Sequence, residues 1–300
     1  MGNWLCGHYA KDSQVERITT EVVKPRAEHK ASSDDISTVL NFGVISDNAL
    51  VNYSLIILES QNLQVVPLEI VIPYLLVSFD TNSIAVFRAL FQLIFLHGLG
   101  DSGRNWSLQL KRIVPPNCKV ICPNARPIPV SVNQQCVMPA WFDIYGLTID
   151  APQDEAGIQK VAEQVSKIVR AEIDDEGIPP NRIILGGFSQ GGSVALYTAL
   201  TSPSLHGLGG VFILSSWLPL AQQLTSDASR IKADHNLPIL QFHGTSDPVV
   251  PFAVGSLTNT VLNSFQFSNC ELHQVPDLGH SCNEEELRLV RDFINKVLCT

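Results

Sequence analysis

The sequence predicts an α/β domain in which a mostly parallel β-sheet is covered by helices on both faces. Short, continuously apolar segments, such as 93–96 and 182–187, have the length and composition of buried parallel strands. Longer segments lie between them, and in 154–176 the apolar residues are spaced three and four positions apart, as in an amphipathic helix. Strands and helices that alternate in this way form parallel sheets.

The alternation continues to the end of the chain. The predicted strands are 93–96, 119–122, 182–187, 210–214, 238–243 and 271–275. The predicted helices are 105–113, 154–176, 190–200, 252–262 and 284–298. Residues 126–147 contain Pro127, Pro129 and Pro139 and are predicted to form a long loop.

The residues before 93 have a different composition. Residues 11–35 are polar without a clear period, which predicts a flexible lead-in. Residues 36–92 are apolar and poor in Lys and Arg, and the stretch 63–79 is predicted to form short strands or a hairpin. A membrane helix is disfavoured there because Glu69 and two prolines interrupt the stretch.

Composition excludes several classes of function. The net charge is −9 and no Lys/Arg cluster occurs, so we expect no nucleic-acid partner. The seven cysteines are odd in number and form no framework, and the start of the chain lacks the features of a signal peptide; both predict a cytoplasmic location. No metal-ligand spacing occurs, so we expect no metal and no cofactor.

A candidate catalytic serine lies in the segment GFSQGG, residues 187–192, which contains the pattern G-x-S-x-G. A predicted strand precedes Ser189 and a predicted helix follows it. This is the context of a nucleophile elbow, in which glycines allow a sharp turn that exposes the serine hydroxyl.

A serine nucleophile needs a base, and the base needs an orienting acid. In an α/β-hydrolase these follow in the order Ser, Asp or Glu, His. Asp247 follows the strand 238–243 and His280 follows the strand 271–275, so both stand at strand carboxyl ends in the required order. Asp277 is the alternative acid.

Three other histidines are less suitable as the base. His243 precedes the acid, His206 lies in a loop after the helix of the nucleophile, and His273 lies within a strand. We interpret each of them as a structural histidine.

Acyl transfer also needs hydrogen-bond donors for the developing oxyanion. One predicted donor is the backbone N–H of Gln190, directly after the serine. The other is the N–H of Leu99, in the loop that follows the strand 93–96. The alternative is that residues 97–100 form only a tight turn.

Five motifs in this order resemble the acyl-protein thioesterase/lysophospholipase family, which are small cytosolic α/β-hydrolases. The resemblance covers about 93–300. The motifs are FLHGLGD (95–101), MPAWFD (138–143), RIILGGFSQGG (182–192), WLP (217–219) and HGTSD (243–247).

The resemblance implies the fold, a cofactor-free mechanism and a set of roles. Ser189 would be the nucleophile, His280 the general base and Asp247 its orienting acid, with Leu99 and Gln190 as oxyanion donors. An apolar acyl channel would be lined near Leu99, Trp217 and Val249. The implied substrates are S-palmitoylated proteins, or else lysophospholipids and small esters.

Residues 33–92 have no counterpart in that family. We therefore divide the chain into a lead-in (1–32), an insertion (33–92) and an α/β-hydrolase domain (93–300). Three interpretations of the insertion stay open, namely a translated intron, a genuine insertion that adds strands or a lid, and a membrane-associating segment. None of them removes a catalytic residue.

Two further questions stay open at the level of sequence. Gly2 is a candidate for myristoylation, although Cys6 stands where the motif requires Ser or Thr, and Cys6 is itself a candidate for palmitoylation. Either modification would bring transient membrane association, and the alternative is an unmodified terminus. The rivals to a thioesterase are a carboxylesterase or lysophospholipase without a protein substrate, and a non-catalytic hydrolase-like binding protein. The intact Ser189, Asp247 and His280 argue against the last.

Overall fold

The structure is a computed structural model that describes residues 37–46, 49–58, 69–72, 75–78, 91–115, 117–146, 148 and 150–298. The predicted lead-in 1–32, with Gly2 and Cys6, lies outside these ranges. No helix among the described residues is long and apolar enough to cross a membrane.

Among the described residues, two antiparallel hairpins come first along the chain. In one, β1 (Ser37–Ser46) pairs with β2 (Ala49–Leu58) over its whole length. In the other, β3 (Glu69–Ile72) pairs with β4 (Leu75–Ser78). The second hairpin lies within the stretch 63–79, for which the sequence predicts short strands or a hairpin.

The chain divides into two compact units. One comprises 1–68 and 79–82 and contains the hairpin β1–β2, while the other comprises 69–78 and 83–300. The second unit contains the hairpin β3–β4 and the main sheet.

Six parallel strands form that sheet in the order β12-β11-β10-β9-β5-β6. The strands are β5 (Phe91–Leu96), β6 (Cys118–Ile121), β9 (Ile183–Phe188), β10 (Gly210–Leu214), β11 (Ile239–Gly244) and β12 (Cys270–Val275). Chain order reverses beside β5, which lies between β6 and β9. The predicted parallel sheet is confirmed.

Within the described ranges, six α-helices accompany the sheet. They are α1 (Gly103–Leu110), α2 (Glu155–Asp174), α3 (Gln190–Thr201), α4 (Ala221–Ser226), α5 (Phe252–Ser264) and α6 (Glu284–Leu298). The short helix α4 was not predicted, because a segment of six residues shows too little periodicity to be recognised.

The core lies on both faces of the sheet, and β5 shows how. Its side chains alternate, so that Leu93 and Phe95 pack with the cluster that contains residues of α1 and α6. Ile94 and Leu96 pack on the other face, with the cluster that contains residues of α2 and α3. A strand buried on both faces favours apolar side chains on both, which explains the continuous apolar segment 93–96, although Gln92 is a buried polar exception in the same strand.

The loop predicted at 126–147 contains a two-stranded hairpin. In it β7 (Pro127–Val130) pairs antiparallel with β8 (Cys136–Pro139). The prediction of a long loop was wrong over these two strands. Proline cannot donate a backbone hydrogen bond, but an edge strand with a neighbour on one side only does not need that donor at every position. Here Pro127 and Pro139 lie opposite each other at the open end of the hairpin.

The first core strand begins two residues earlier than predicted. Phe91 pairs with Cys118, and Gln92 pairs with Lys119 on one side and Ile183 on the other. The guanidinium of Arg182 lies 5.0 Å from the centre of the Phe91 ring. Phe91 and Gln92 therefore belong to the sheet rather than to the segment before it.

Candidate active site

Ser189 occupies the sharp turn between β9 and α3. Its φ of 52° and ψ of −121° lie in a region that residues with a side chain rarely adopt, and strain of this kind collects at functional sites. A Cβ at Gly191 would collide with the backbone oxygens of Leu96 and His97, so only glycine allows α3 to start this close to β5. The turn has the geometry that the sequence predicts for a nucleophile elbow.

His280 connects the serine to an acid. Its Nε2 lies 2.9 Å from Oγ of Ser189, and its Nδ1 lies 2.8 Å from Oδ2 of Asp247. Asp247 and Ser189 are buried, whereas the His280 side chain keeps 17% of its surface exposed. The structure thus brings together the three residues that the sequence singles out, within hydrogen-bond distance of one another.

The carboxylate of Asp247 is held ready to accept from His280. Its Oδ1 accepts hydrogen bonds from the backbone N–H groups of Val249 and Val250, both at 2.9 Å. Burial alone would raise the pKa of Asp247, but the hydrogen bond and charge of His280 and the two N–H donors outweigh it and lower the pKa. The acid is therefore ionised at neutral pH and fixes the orientation of the imidazole.

The alternative acid and the other candidate bases have different partners. Asp277 is exposed, and its backbone N–H donates to Oγ1 of Thr245. His206 pairs with Asp234 at the surface and His273 with Glu271. For His206 and His273, these contacts are compatible with the structural roles that the sequence predicts.

His243 is close to Asp247 but is used elsewhere. Its Nε2 lies 2.7 Å from the carbonyl oxygen of Val250 and 3.7 Å from Oδ2 of Asp247. Burial lowers the pKa of His243, although the Val250 carbonyl and Asp247 oppose the shift. A neutral ring that donates to Val250 holds the turn that carries the two N–H donors to Asp247.

The two predicted oxyanion donors lie in different segments, since Gln190 begins α3 and Leu99 is in the loop after β5. The first helical hydrogen bond of α3 runs from the N–H of Ser193 to the carbonyl oxygen of Ser189, so the N–H of Gln190 precedes it and has no partner within the helix. Within the described part of the chain, the N–H of Leu99 also has no acceptor. Both groups are therefore available to a ligand.

Side chains that the sequence analysis did not single out hold these donors in place. Oε1 of Gln190 accepts from the N–H of Trp141 at 3.0 Å, and Nε2 donates to the carbonyl oxygen of Phe142 at 2.7 Å. The indole Nε1 of Trp141 donates to the carbonyl oxygen of His97 at 2.8 Å. The motif MPAWFD contains Trp141, but nothing in its spacing shows that its partners are 44 and 49 residues away.

His97 is fully buried and braces the loop of Leu99 from inside. Its Nε2 accepts from the N–H of Ala125 at 3.0 Å, so its Nδ1 carries the proton and donates to the carbonyl oxygen of Gly98 at 2.7 Å. Burial lowers the pKa of His97, which keeps the ring neutral. The segment 97–100 is therefore more than a tight turn, because the His97 side chain ties its backbone to that of Ala125.

The profile of the family described as Phospholipase/Carboxylesterase matches residues 89–298. The chain belongs to the phospholipase/carboxylesterase family. The match leaves out nearly all of the segment 33–92 and contains the whole of the six-stranded sheet.

Known members of the family are similar over the same part of the chain. "Acyl-protein thioesterase 1" of Debaryomyces hansenii is 39% identical over 214 residues, which cover 69% of this chain and 90% of that protein. The crystal structure of acyl-protein thioesterase 2 of Zea mays is 32% identical, with a TM-score of 0.64 over 70% of this chain and 95% of that one. The crystal structure of Arabidopsis thaliana SOBER1 is 31% identical, with the same TM-score over 69% and 99%.

A cavity of about 210 Å³ lies beside the site in this family member. Trp217 and Val249 line it, as predicted for an acyl channel, but Leu99 does not. Its wall also includes Phe142, whose carbonyl is bound by Gln190, and Val250, whose N–H is bound by Asp247. The exposed side chains of Tyr145 and Leu257 lie at its edge, so apolar surface continues to the outside.

Among the described cysteines, Cys118, Cys122 and Cys282 are not activated as nucleophiles. Cys118 and Cys122 are free and partly buried, and burial raises the pKa of each to about 12. Burial and the nearby Glu286 also raise the pKa of Cys282, which follows His280 by two residues. A thiol with a raised pKa is seldom ionised and attacks poorly. Within the described ranges, no three His, Cys, Asp or Glu side chains are grouped so as to hold a metal ion.

Proposed function

We propose that this family member is a serine hydrolase that cleaves acyl thioesters and esters, and that its main substrates are S-acylated proteins. The observation that carries the proposal is the position of His280, with one ring nitrogen 2.9 Å from Oγ of Ser189 and the other 2.8 Å from Asp247. This geometry, at a strained elbow, suits a nucleophile, a general base and an orienting acid.

In the first step His280 takes the proton of Ser189 as Oγ attacks the acyl carbonyl carbon. The carbonyl π electrons move to oxygen, and the N–H groups of Leu99 and Gln190 donate to that oxyanion. When the tetrahedral intermediate collapses, the bond to sulfur or oxygen breaks and His280 returns the proton to the leaving group.

In the second step a water molecule replaces the leaving group. His280 takes a proton from this water as its oxygen attacks the acyl-enzyme. The ester bond to Ser189 then breaks, the proton returns to Oγ, and the free acid leaves. Asp247 stays ionised and stabilises the imidazolium that forms twice in each cycle.

The choice of an acylated protein as substrate rests on similarity and on the cavity. The relative from Debaryomyces hansenii and the structure from Zea mays are both named acyl-protein thioesterases. The cavity with Trp217 and Val249 offers apolar walls for the acyl chain, and its exposed edge leaves space outside for a protein. The reaction needs no cofactor or metal.

The second candidate function is hydrolysis of lysophospholipids or small carboxylic esters. The family description itself, phospholipase and carboxylesterase, favours it. Thioester and oxygen-ester substrates with the same acyl chain distinguish the two, since only the leaving group differs. A ratio of kcat/KM above about 10 for the thioester, which is about 1.4 kcal/mol of transition-state preference, supports the first function.

A fluorophosphonate probe tests whether the protein is a hydrolase or a non-catalytic binding protein. We expect the probe to label Ser189 and the variant Ser189→Ala to lose both labelling and several orders of magnitude in kcat. Ser166→Ala is the matched control, because this buried serine donates to the carbonyl oxygen of Ala162 in α2 and has no histidine partner. Equal labelling of Ser189→Ala and wild type would refute the proposal.

We also propose a cytoplasmic location with transient membrane association through lipidation of Gly2 or Cys6. The support comes from the sequence alone, because both residues lie outside the described ranges. Metabolic labelling with alkyne analogues of myristate and palmitate, with Gly2→Ala and Cys6→Ser as controls, tests it. Absence of both labels would contradict the association.

A further inference from the structure

The side chain of Gln190 is fully buried at the first residue of α3. Both ends of its amide bind one short segment of backbone, through the N–H of Trp141 and the carbonyl oxygen of Phe142. A buried amide whose donor and acceptor are both satisfied on adjacent residues holds them at a fixed distance from its own helix.

The segment that Gln190 holds also binds the loop of Leu99. The carbonyl oxygen of Pro139 accepts from the N–H of Gly100 at 2.8 Å, and the indole of Trp141 donates to the carbonyl oxygen of His97 at 2.8 Å. Hydrogen bonds therefore reach the loop on both sides of Leu99. The segment 139–142 links α3 to this loop.

We propose that the side chain of Gln190 is a positioning residue that sets the separation of the two oxyanion donors. The backbone N–H of Gln190 is one donor. The side chain of the same residue, through 139–142, holds the loop that carries the other donor, the N–H of Leu99. The inference rests on the function proposed above, because the separation matters only where an oxyanion forms.

The bonds made by His97 do not replace this link. The ring of His97 connects Gly98 to Ala125 and so braces the loop internally, without reaching α3. Without the Gln190 amide, β5 and α3 stay packed at Gly191, but the link through 139–142 no longer fixes the loop of Leu99 relative to the N–H of Gln190. Oxyanion stabilisation depends on donors placed before the reaction, so the loss falls on the transition state rather than on substrate binding.

The first test replaces Gln190 by methionine, which is similar in length and keeps the backbone N–H but removes both amide contacts. We expect Gln190→Met to lower kcat by about 10- to 100-fold, as for a displaced catalytic group, with KM changed by less than about threefold. The control is Gln241→Met. Gln241 is equally buried, in β11, and its contacts to Asn259 and Cys270 do not reach the oxyanion loops.

A transition-state analogue separates positioning from general loss of structure. Oγ of Ser189 attacks the carbonyl carbon of an alkyl trifluoromethyl ketone, and its proton passes to His280. The oxyanion that forms then accepts from the N–H groups of Leu99 and Gln190. For Gln190→Met we expect the inhibition constant to rise by the same factor by which kcat/KM falls. For Gln241→Met we expect neither quantity to change by more than about threefold, even where the melting temperature falls.

Trp141→Phe keeps the test decisive if Gln190→Met does not fold. This partly exposed residue loses only the indole bond to His97, and we expect about a 3- to 10-fold fall in kcat with the inhibition constant changing in parallel.

An unchanged inhibition constant in the folded variants, or a Gln190→Met enzyme no slower than Gln241→Met, overturns this inference alone. An inactive wild type that the fluorophosphonate does not label overturns the proposed function and this inference with it.

Discussion

The two sides of Ser189 are built in different ways. On the acid–base side, His280 and Asp247 stand on the loops after β12 and β11 and meet through their side chains. On the oxyanion side, the donors are backbone N–H groups, and hydrogen bonds between 97–100, 139–142 and Gln190 hold them. The chemistry of the first side depends on which residues are present, and that of the second on where the backbone lies.

Because of this difference, we expect variants on the two sides of Ser189 to affect kcat and the free energy of unfolding differently. A change of charge in the acid–base side chains should lower the rate and leave the fold intact. A change on the oxyanion side leaves buried backbone groups without partners and should also lower the free energy of unfolding. Four predictions test the comparison.

The largest effect is expected for Asp247→Asn. An amide in place of the carboxylate favours the wrong tautomer of His280, so kcat should fall by up to about 10⁴-fold while KM changes little. Steady-state kinetics on a thioester substrate measures this, and a melting curve should show only a small shift.

The matched control for that variant is Asp277→Asn. Asp277 has a φ of 59°, which asparagine tolerates well, and its side chain is exposed. We expect wild-type kcat from it. A greater loss with Asp277→Asn than with Asp247→Asn would show that the acid is misassigned.

His97→Ala tests the oxyanion side. The variant leaves the Ala125 N–H without its acceptor and opens a cavity, so the free energy of unfolding should fall by about 2–4 kcal/mol. We also expect about a tenfold loss of kcat, because the loop of Leu99 is less well held.

Denaturant unfolding measures the fall in the free energy of unfolding that we expect for His97→Ala. The exposed His206 is the control, and His206→Ala should stay within about 0.5 kcal/mol of wild type. If His97→Ala were as stable as His206→Ala, the oxyanion loop would not depend on its buried histidine.

The pH dependence of stability should reveal the neutral ring of His243. Burial lowers its pKa in the folded state, so the folded protein binds fewer protons there than the unfolded one. The stability that this ring contributes is present above the unfolded pKa of about 6.5 and is lost as the pH falls towards the folded value. The advantage of wild type over His243→Gln should therefore be larger at pH 7.5 than at pH 5.

Urea unfolding of both proteins at the two pH values measures this difference, since pH effects of all other groups cancel to first order. An advantage that grows as the pH falls would mean that the folded ring is charged, and the sign of the effect would be reversed.

The smallest effect is expected from removing the segment before the sheet. A chain in which Ser32 is joined to Phe91 keeps the whole of β5 and both sides of Ser189, and we expect kcat/KM within about threefold of wild type. The junction with Leu93, which follows from the sequence-based boundary, also deletes Phe91 and Gln92 from the sheet.

That shorter chain is the matched comparison. It loses a buried phenylalanine that packs under Arg182, and we expect it to be less stable by about 3 kcal/mol. Loss of activity with the junction at Phe91 would show that the segment 33–90 has a function in the native protein. Mass spectrometry of the native protein tests the translated-intron interpretation, which predicts that peptides from this segment are absent.

Residue types and chain order were enough to predict the parallel sheet, the sharp turn at Ser189 and the three side chains that meet there. Continuous apolar strands identify a sheet buried on both faces, and the order Ser189, Asp247, His280 follows from the positions of their strands. Residue identity and chain order are both written in the sequence. Its errors at Phe91 and at the hairpin β7–β8 are errors of local pattern, where neighbouring strands decide which residues become extended.

The hydrogen bonds that hold the oxyanion side could not be predicted without the packed fold. The contacts of Gln190 with Trp141 and Phe142, and of Trp141 with His97, join residues 44 to 49 positions apart through backbone groups that every residue possesses. No side-chain pattern encodes such partners, because a backbone N–H or carbonyl looks the same at every position. These residues come within hydrogen-bond distance only when β5, α3 and the segment after β8 are packed together.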